Sequence, residues 1–197
     1  QTVTASTTDD DVAGFTIDQL DGSIEVDESG DTDTFTVVLD AQPTSDVVIT
    51  ITSSDTGEAT VTSTLTFTPA NWDTPQVATI TGVDDDIIDG SQTSTITVSI
   101  DDANSDDDFD AIADQTVSVS TTDDDVAGFT VSETQGSTGV DESGTTDIIT
   151  VVLNAQPASN VVMAISSSDA SETAVNGSTA NNNSLTFTSA NWDTPQS

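Results

Sequence analysis

The chain has 197 residues, 36 of them Asp or Glu, with no Lys, Arg or His, and a formal net charge of −36. It has no cationic side chain to meet a phosphate backbone or an anionic lipid surface, so no nucleic acid partner is expected, and no run approaches the ~20 apolar residues of a membrane-inserted helix. It also lacks Cys and Tyr, which rules out disulfides and thiolate metal sites and leaves only carboxylates and hydroxyls for any catalysis.

Taken in chain order, the elements are short strands. Gln1-Thr2-Val3-Thr4 resembles Gln115-Thr116-Val117-Ser118, so residues 1–11 read as the last strand of a preceding repeat, ending in Asp9, Asp10 and Asp11. Phe15–Ile17 with Ile24–Val26 come next, followed by the turn Asp27-Glu28-Ser29-Gly30. Phe35, Val37 and Leu39 alternate with Thr34, Thr36 and Val38, and Val47, Ile49 and Ile51 alternate with Val48, Thr50 and Thr52. Leu65–Phe67, Val77–Val83, the alternating Ile96, Val98 and Ile100, and Val117–Val119 complete the set. Period-two alternation puts one apolar face inward, and about seven such strands suit an immunoglobulin-like sandwich. Nothing has helical periodicity. Few aromatics and high charge alone would suggest disorder, but the 33% of hydrophobic residues are concentrated in these runs.

The chain also repeats itself. Thr7–Phe15 returns as Thr121–Phe129 and Val26–Gly30 as Val140–Gly144, both 114 residues on. Leu65–Trp72 returns as Leu185–Trp192, now 120 residues on, so six residues are inserted, within the polar tract Asn176–Asn183. Such a period is too long for a solenoid unit of about 20–50 residues and fits a whole sandwich domain of ~100. The expected division is a last strand at 1–11, a complete domain at 12–125 and a truncated second domain at 126–197. The start at Gln1 without a Met and the stop at Ser197 suggest a window cut from something longer.

Carboxylates gather at predicted strand ends and loops. Self-repulsion at −36 asks for bound divalent cations or a very salty medium, and both stay open on composition alone. Adjacent aspartates repel unless something neutralises them, so Asp84–Asp86 and Asp123–Asp125 read as metal ligands, whereas the pair Asp101-Asp102 reads as solvated surface. Asp106–Asp110 is open between a metal site and a decorated long loop. Calcium, which takes six to eight oxygens, fits acidic loops better than Mg²⁺, and no segment has the EF-hand spacing. Trp72 and Trp192, in identical Asn-Trp-Asp-Thr-Pro-Gln segments, read as sandwich-rim or domain-contact residues rather than carbohydrate platforms.

In order, Val26-Asp27-Glu28-Ser29-Gly30, Ser54-Asp55-Thr56-Gly57, Leu65–Pro69, Val83–Asp89 and Thr122–Gly128 resemble the Calx-β domain, a sandwich found in sodium/calcium exchangers and large bacterial surface proteins. The resemblance implies an all-β, immunoglobulin-like fold repeated in tandem, with Ca²⁺ bound at one end of the sandwich. Its ligands would be Glu28, Asp55, Asp84, Asp85, Asp89, the backbone oxygen of Ile87, and Asp123, Asp124 and Asp125. Glu142 and Asp169 match Glu28 and Asp55 in the second copy, and Asp9, Asp10 and Asp11 match the terminal triplet of the copy before. Asp89 stands where calcium-binding members often have Glu. The functional expectation is a non-catalytic, calcium-stabilised spacer of an extracellular adhesin or filament, its partners being neighbouring repeats of the same chain or other copies. The alternative is a calcium-sensing regulatory module.

Overall fold

Strands alternating Val, Ile, Leu or Phe with Thr or Ser present one apolar and one hydroxyl face, so two sheets closing on their apolar faces satisfy them. The computed structural model describes residues 1–8, 10–19, 22–175 and 183–197. Asp9 and residues 176–182 of the polar tract Asn176–Asn183, where the sequence places the insertion, lie outside the described residues. Internal packing divides the chain into two units, Gln1–Asp85 with Ser91–Asp123, and Asp86–Gly90 with Asp124–Ser197.

Among the described residues the first unit is a β-sandwich of nine strands: β1 (Phe15–Asp18), β2 (Ile24–Asp27), β3 (Thr32–Leu39), β4 (Val47–Ser53), β5 (Ala59–Val61), β6 (Thr64–Phe67), β7 (Gln76–Gly82), β8 (Gln92–Ile100) and β9 (Gln115–Thr122). One sheet has the order β1-β3-β7-β5 and the other β2-β9-β8-β4-β6. All ladders are antiparallel except β2 with β9, which is parallel and pairs Asp27 with Thr122. Phe35, Val37, Ile49, Phe67, Ile80, Ile96, Val98 and Val119 fill the space between the sheets with essentially no exposure. Each such side chain contributes about 1.5–3 kcal/mol on burial.

Nine strands rather than about seven arise for two reasons. The sequence read Phe15–Ile17 and Ile24–Val26 together, but β1 and β2 belong to opposite sheets. Between them the Gly22 amide donates to the Gln19 carbonyl (3.2 Å), and Gly22 has φ +80°. The second reason is β5, three residues long at a sheet edge, too short to show a period. Residues 1–8 form no strand and are exposed, Val3 at 94%.

The second unit pairs β10 (Phe129–Glu133) with β11 (Ile149–Leu153), and β12 (Val161–Ala164) with β13 (Ser184–Phe187), both antiparallel. Val151, Leu153, Leu185 and Phe187 form its core. The register of Phe129 on Leu153 repeats that of Phe15 on Leu39. Residues 138–141, the sequence counterpart of β2, form no strand. Their partner would be a copy of β9, and the 197 residues contain none after β13. Val140 is accordingly 42% exposed where its counterpart Val26 is 3%.

Candidate metal centre

Glu28 follows β2 in the turn Asp27-Glu28-Ser29-Gly30, which forms for local reasons. The Asp27 carboxylate Oδ1 accepts from the Ser29 amide (3.0 Å), and Gly30 takes φ +90°, open to glycine without strain. The Glu28 amide then donates to the Thr122 carbonyl at the end of β9 (3.2 Å). That bond extends the parallel ladder by one residue and turns the Glu28 side chain inward, where it is 1% exposed. Asp85 stands three residues beyond β7, in the opposite sheet, and is half-buried. One carboxylate oxygen of Glu28 and one of Asp85 lie within 4.8 Å of each other.

What lets strand ends of opposite sheets approach this closely is Gly82, the last residue of β7. A Cβ there would meet the Asp27 carbonyl oxygen at 1.9 Å and its carbon at 2.8 Å, both backbone atoms that cannot swing aside. Sequence reading passed over Gly82, although a glycine inside a strand pattern is itself a signal of close backbone approach.

The donor set fits a hard cation. Two oxygens on one ion at about 2.4 Å can be at most about 4.8 Å apart, and the Glu28–Asp85 spacing falls inside that limit. Two carboxylates this close, one of them buried, repel in the absence of a cation or a shared proton. The chain has no Lys, Arg or His to supply a counter-charge.

The other expected ligands are placed as follows. Asp55, in the turn after β4, is exposed; its Oδ1 accepts from the Gly57 amide (3.0 Å) and its carbonyl from the Ala59 amide (3.1 Å). Asp84, two residues beyond β7, is exposed, and Asp123, directly after β9, is half-buried. Neither these two nor Asp55 joins a group of three carboxylates at the Glu28–Asp85 spacing among the described residues. Asp124 is exposed and Asp125 half-buried; Asp125 stands three residues beyond Thr122, the carbonyl of which holds Glu28. Ile87 forms a parallel bridge with Gln156 inside the second unit, the Gln156 amide donating to the Asp86 carbonyl (2.7 Å), and Asp89 is exposed. Asp10 and Asp11 are exposed ahead of β1.

In the second unit Glu142 and Asp169 are exposed. The Asp169 carboxyl is held below the usual range, chiefly by the Ser171 hydroxyl and amide, so it serves its own turn. Asp141, the counterpart of Asp27, is lowered in the same way by the Ser143 hydroxyl and amide.

Asp106 resolves as structural. Its Oδ2 accepts from the Thr44 amide and hydroxyl (2.7 Å each) and the Ser45 amide (2.8 Å), and its Oδ1 from the Asp108 amide (3.1 Å). These bonds, the Thr44 hydroxyl first, lower its pKa to about 2. The adjoining 3₁₀ turn Asp107–Phe109 buries Phe109 to 2% exposure in the core. Trp72 and Trp192 are half-buried against their respective cores, and their carbonyls accept from the Leu39 (3.2 Å) and Leu153 (3.1 Å) amides.

No family model and no curated protein matches the chain. Solved structures with some likeness include the E. coli chaperone DraB, at 9% identity and a TM-score of 0.40 over 60% of this chain and 59% of that one. The apo-form Calx CBD1 domain is 16% identical with a TM-score of 0.40, over 56% of this chain and 98% of that one. Domains 1–6 of the surface layer protein SbsC are 16% identical with a TM-score of 0.41, over 95% of this chain and 23% of that one. The chain thus spans under two thirds of the first and under a quarter of the last. Likeness at this level says nothing about the site.

Proposed function

We propose that the chain is a calcium-stabilised, non-catalytic spacer of an extracellular surface protein or filament, with residues 12–125 as one repeat and 126–197 as part of the next. The observation that carries this reading is the burial of Glu28 within 4.8 Å of Asp85 in a chain without a cationic side chain. Calcium at this end of the sandwich is held by Glu28 and Asp85, with Asp84, Asp123 and Asp55 of the same unit and water to complete a shell of six to eight oxygens. The ion supplies charge neutralisation and cross-linking of strand ends, and no reaction. Extracellular modules bind calcium with dissociation constants of about 10⁻⁴–10⁻³ M, which suits carboxylates arranged on open loops. The same acidic set recurs with the structural repeat, as a spacer requires and a single substrate cleft does not.

Calorimetric titration of calcium into the metal-stripped 197-residue chain tests the site. Asp85→Asn should weaken binding by tenfold or more, on the order of 1.4 kcal/mol, and Asp102→Asn should leave it unchanged. Equal affinities for the two variants would remove Asp85 from the shell.

A further inference from the structure

The second unit is open where β9 closes the first. In the first unit β9 runs parallel to β2, buries Val117, Val119 and Thr121, and its Gln115 side-chain amide donates to the Phe15 carbonyl (2.7 Å). Phe15 is 3% exposed there, whereas its counterpart Phe129 is 55% exposed, and Val140 is exposed in the segment that matches β2. A cavity of about 820 Å³ is lined by Thr138, Val140, Ile149 and Ile165 among others. Their counterparts 114 residues earlier, Ile24, Val26, Phe35 and Ile51, lie in the core of the first unit. The chain also carries a second segment like β9. Gln1–Thr8 matches Gln115–Thr122 except at Thr4 and Ala5, which replace Ser118 and Val119, and it is exposed and forms no strand.

We propose that residues 1–8 of one copy add to the second unit of another copy as its β9-type strand. Strand addition pairs main-chain donors and acceptors of both partners, and alternate side chains supply specificity. The ladder of β2 on β9 sets the register: Ala5 meets Thr138, Ser6 meets Gly139, Thr7 meets Val140 and Thr8 meets Asp141. Val3 and Ala5 then take the inward places of Val117 and Val119. The Thr8 carbonyl accepts from the Glu142 amide, as that of Thr122 does from Glu28, and the Gln1 side chain reaches the Phe129 carbonyl as Gln115 reaches Phe15. Donor and acceptor are different parts of the chain, so the contact is heterologous and copies add head to tail. Only the β9 position is filled, which keeps the affinity low. The proposal rests on the division of the chain into repeats and uses no metal, so it and the calcium reading fail separately.

The test is sedimentation of the 197-residue chain in chelator and about 1 M NaCl, where a screening length of ~3 Å mutes repulsion between acidic surfaces. From about 10 µM to about 1 mM chain, a range suited to weak affinity, the wild type should grow past the dimer. Val3→Asp on the donor and Val140→Asp on the acceptor should each weaken association about a hundredfold, because each sets a carboxylate in an apolar place. Mixed in equal amounts, these two variants should form dimers and nothing larger, since the first keeps its acceptor and the second its donor. Val12→Asp, which adds the same charge beyond the donor strand, should behave as the wild type. All three positions are exposed and outside strands, so the fold does not depend on them. A wild type that stays monomeric, association of Val3→Asp equal to wild type, or a mixture that does not stop at dimers would overturn the proposal.

Discussion

Glu28 and Glu142 occupy the same five-residue turn, Val-Asp-Glu-Ser-Gly, yet one is buried and the other exposed. The turn is encoded locally by Asp and Gly, whereas the burial of the Glu is conferred by β9, whose carbonyl at Thr122 takes its amide. Burial beside Asp85 costs stability when no cation is present. Glu28→Gln should therefore raise the melting temperature of the first repeat in chelator, yet gain less from added calcium than the wild type; calorimetric melting under both conditions shows the two signs. Asp106 has the opposite character. Its folded pKa, lowered to about 2 from 3.8, means the carboxylate stabilises the fold fully above about pH 4 and that this contribution is lost as pH falls toward 2. Asp106→Asn should cost about 2 kcal/mol near neutrality, the scale of hydrogen bonds to a charged group. In urea titrations across pH, the gap from wild type should close between pH 4 and 2; a gap that does not change with pH would contradict the role given to the charge.

At the scale of elements, Gly82 decides whether β7 and β2 can end side by side. Gly82→Ala drives a methyl into the Asp27 backbone, so it should destabilise the first unit by more than ~3 kcal/mol, in the tail of single-substitution effects, and weaken calcium binding with it. Normal melting and calcium affinity in this variant would show that the close approach is not what assembles the site. Phe109→Ala should cost about 3–5 kcal/mol, as for a buried aromatic, which would mark the acidic loop as part of the core. Much of this was legible beforehand. The inward sets of β3, β4 and β8 follow from Phe35/Val37/Leu39, Val47/Ile49/Ile51 and Ile96/Val98 alternating with Thr and Ser. Glu28 and Asp85 stand out in the sequence as candidate ligands on charge and motif order, and the fold brings their carboxylates within 4.8 Å of each other. What escaped was non-local or too short to repeat. No sequence period states that β1 and β2 lie in opposite sheets or that β2 runs parallel to β9. A single Phe among the four aspartates of 106–110 gives no pattern, and the need for Gly82 exists only once two strand ends meet.

For the whole molecule the governing quantity is the −36 charge and its placement, with carboxylates at strand ends and loops and hydroxyls on the broad face of the five-stranded sheet. On the proposed reading, cations at the ends would relieve repulsion where it is densest and stabilise the folded form by mass action. Monovalent salt at high concentration screens the same repulsion without filling the site. The most direct test is a thermal melt of the 197-residue chain at low ionic strength with excess calcium and then with chelator. Calcium at about a hundredfold its dissociation constant adds ~2.7 kcal/mol, so chelation should lower the melting temperature by about 10–20 °C, and by less in about 1 M NaCl. Superimposable melts in calcium and in chelator at low salt would contradict the calcium-stabilised reading.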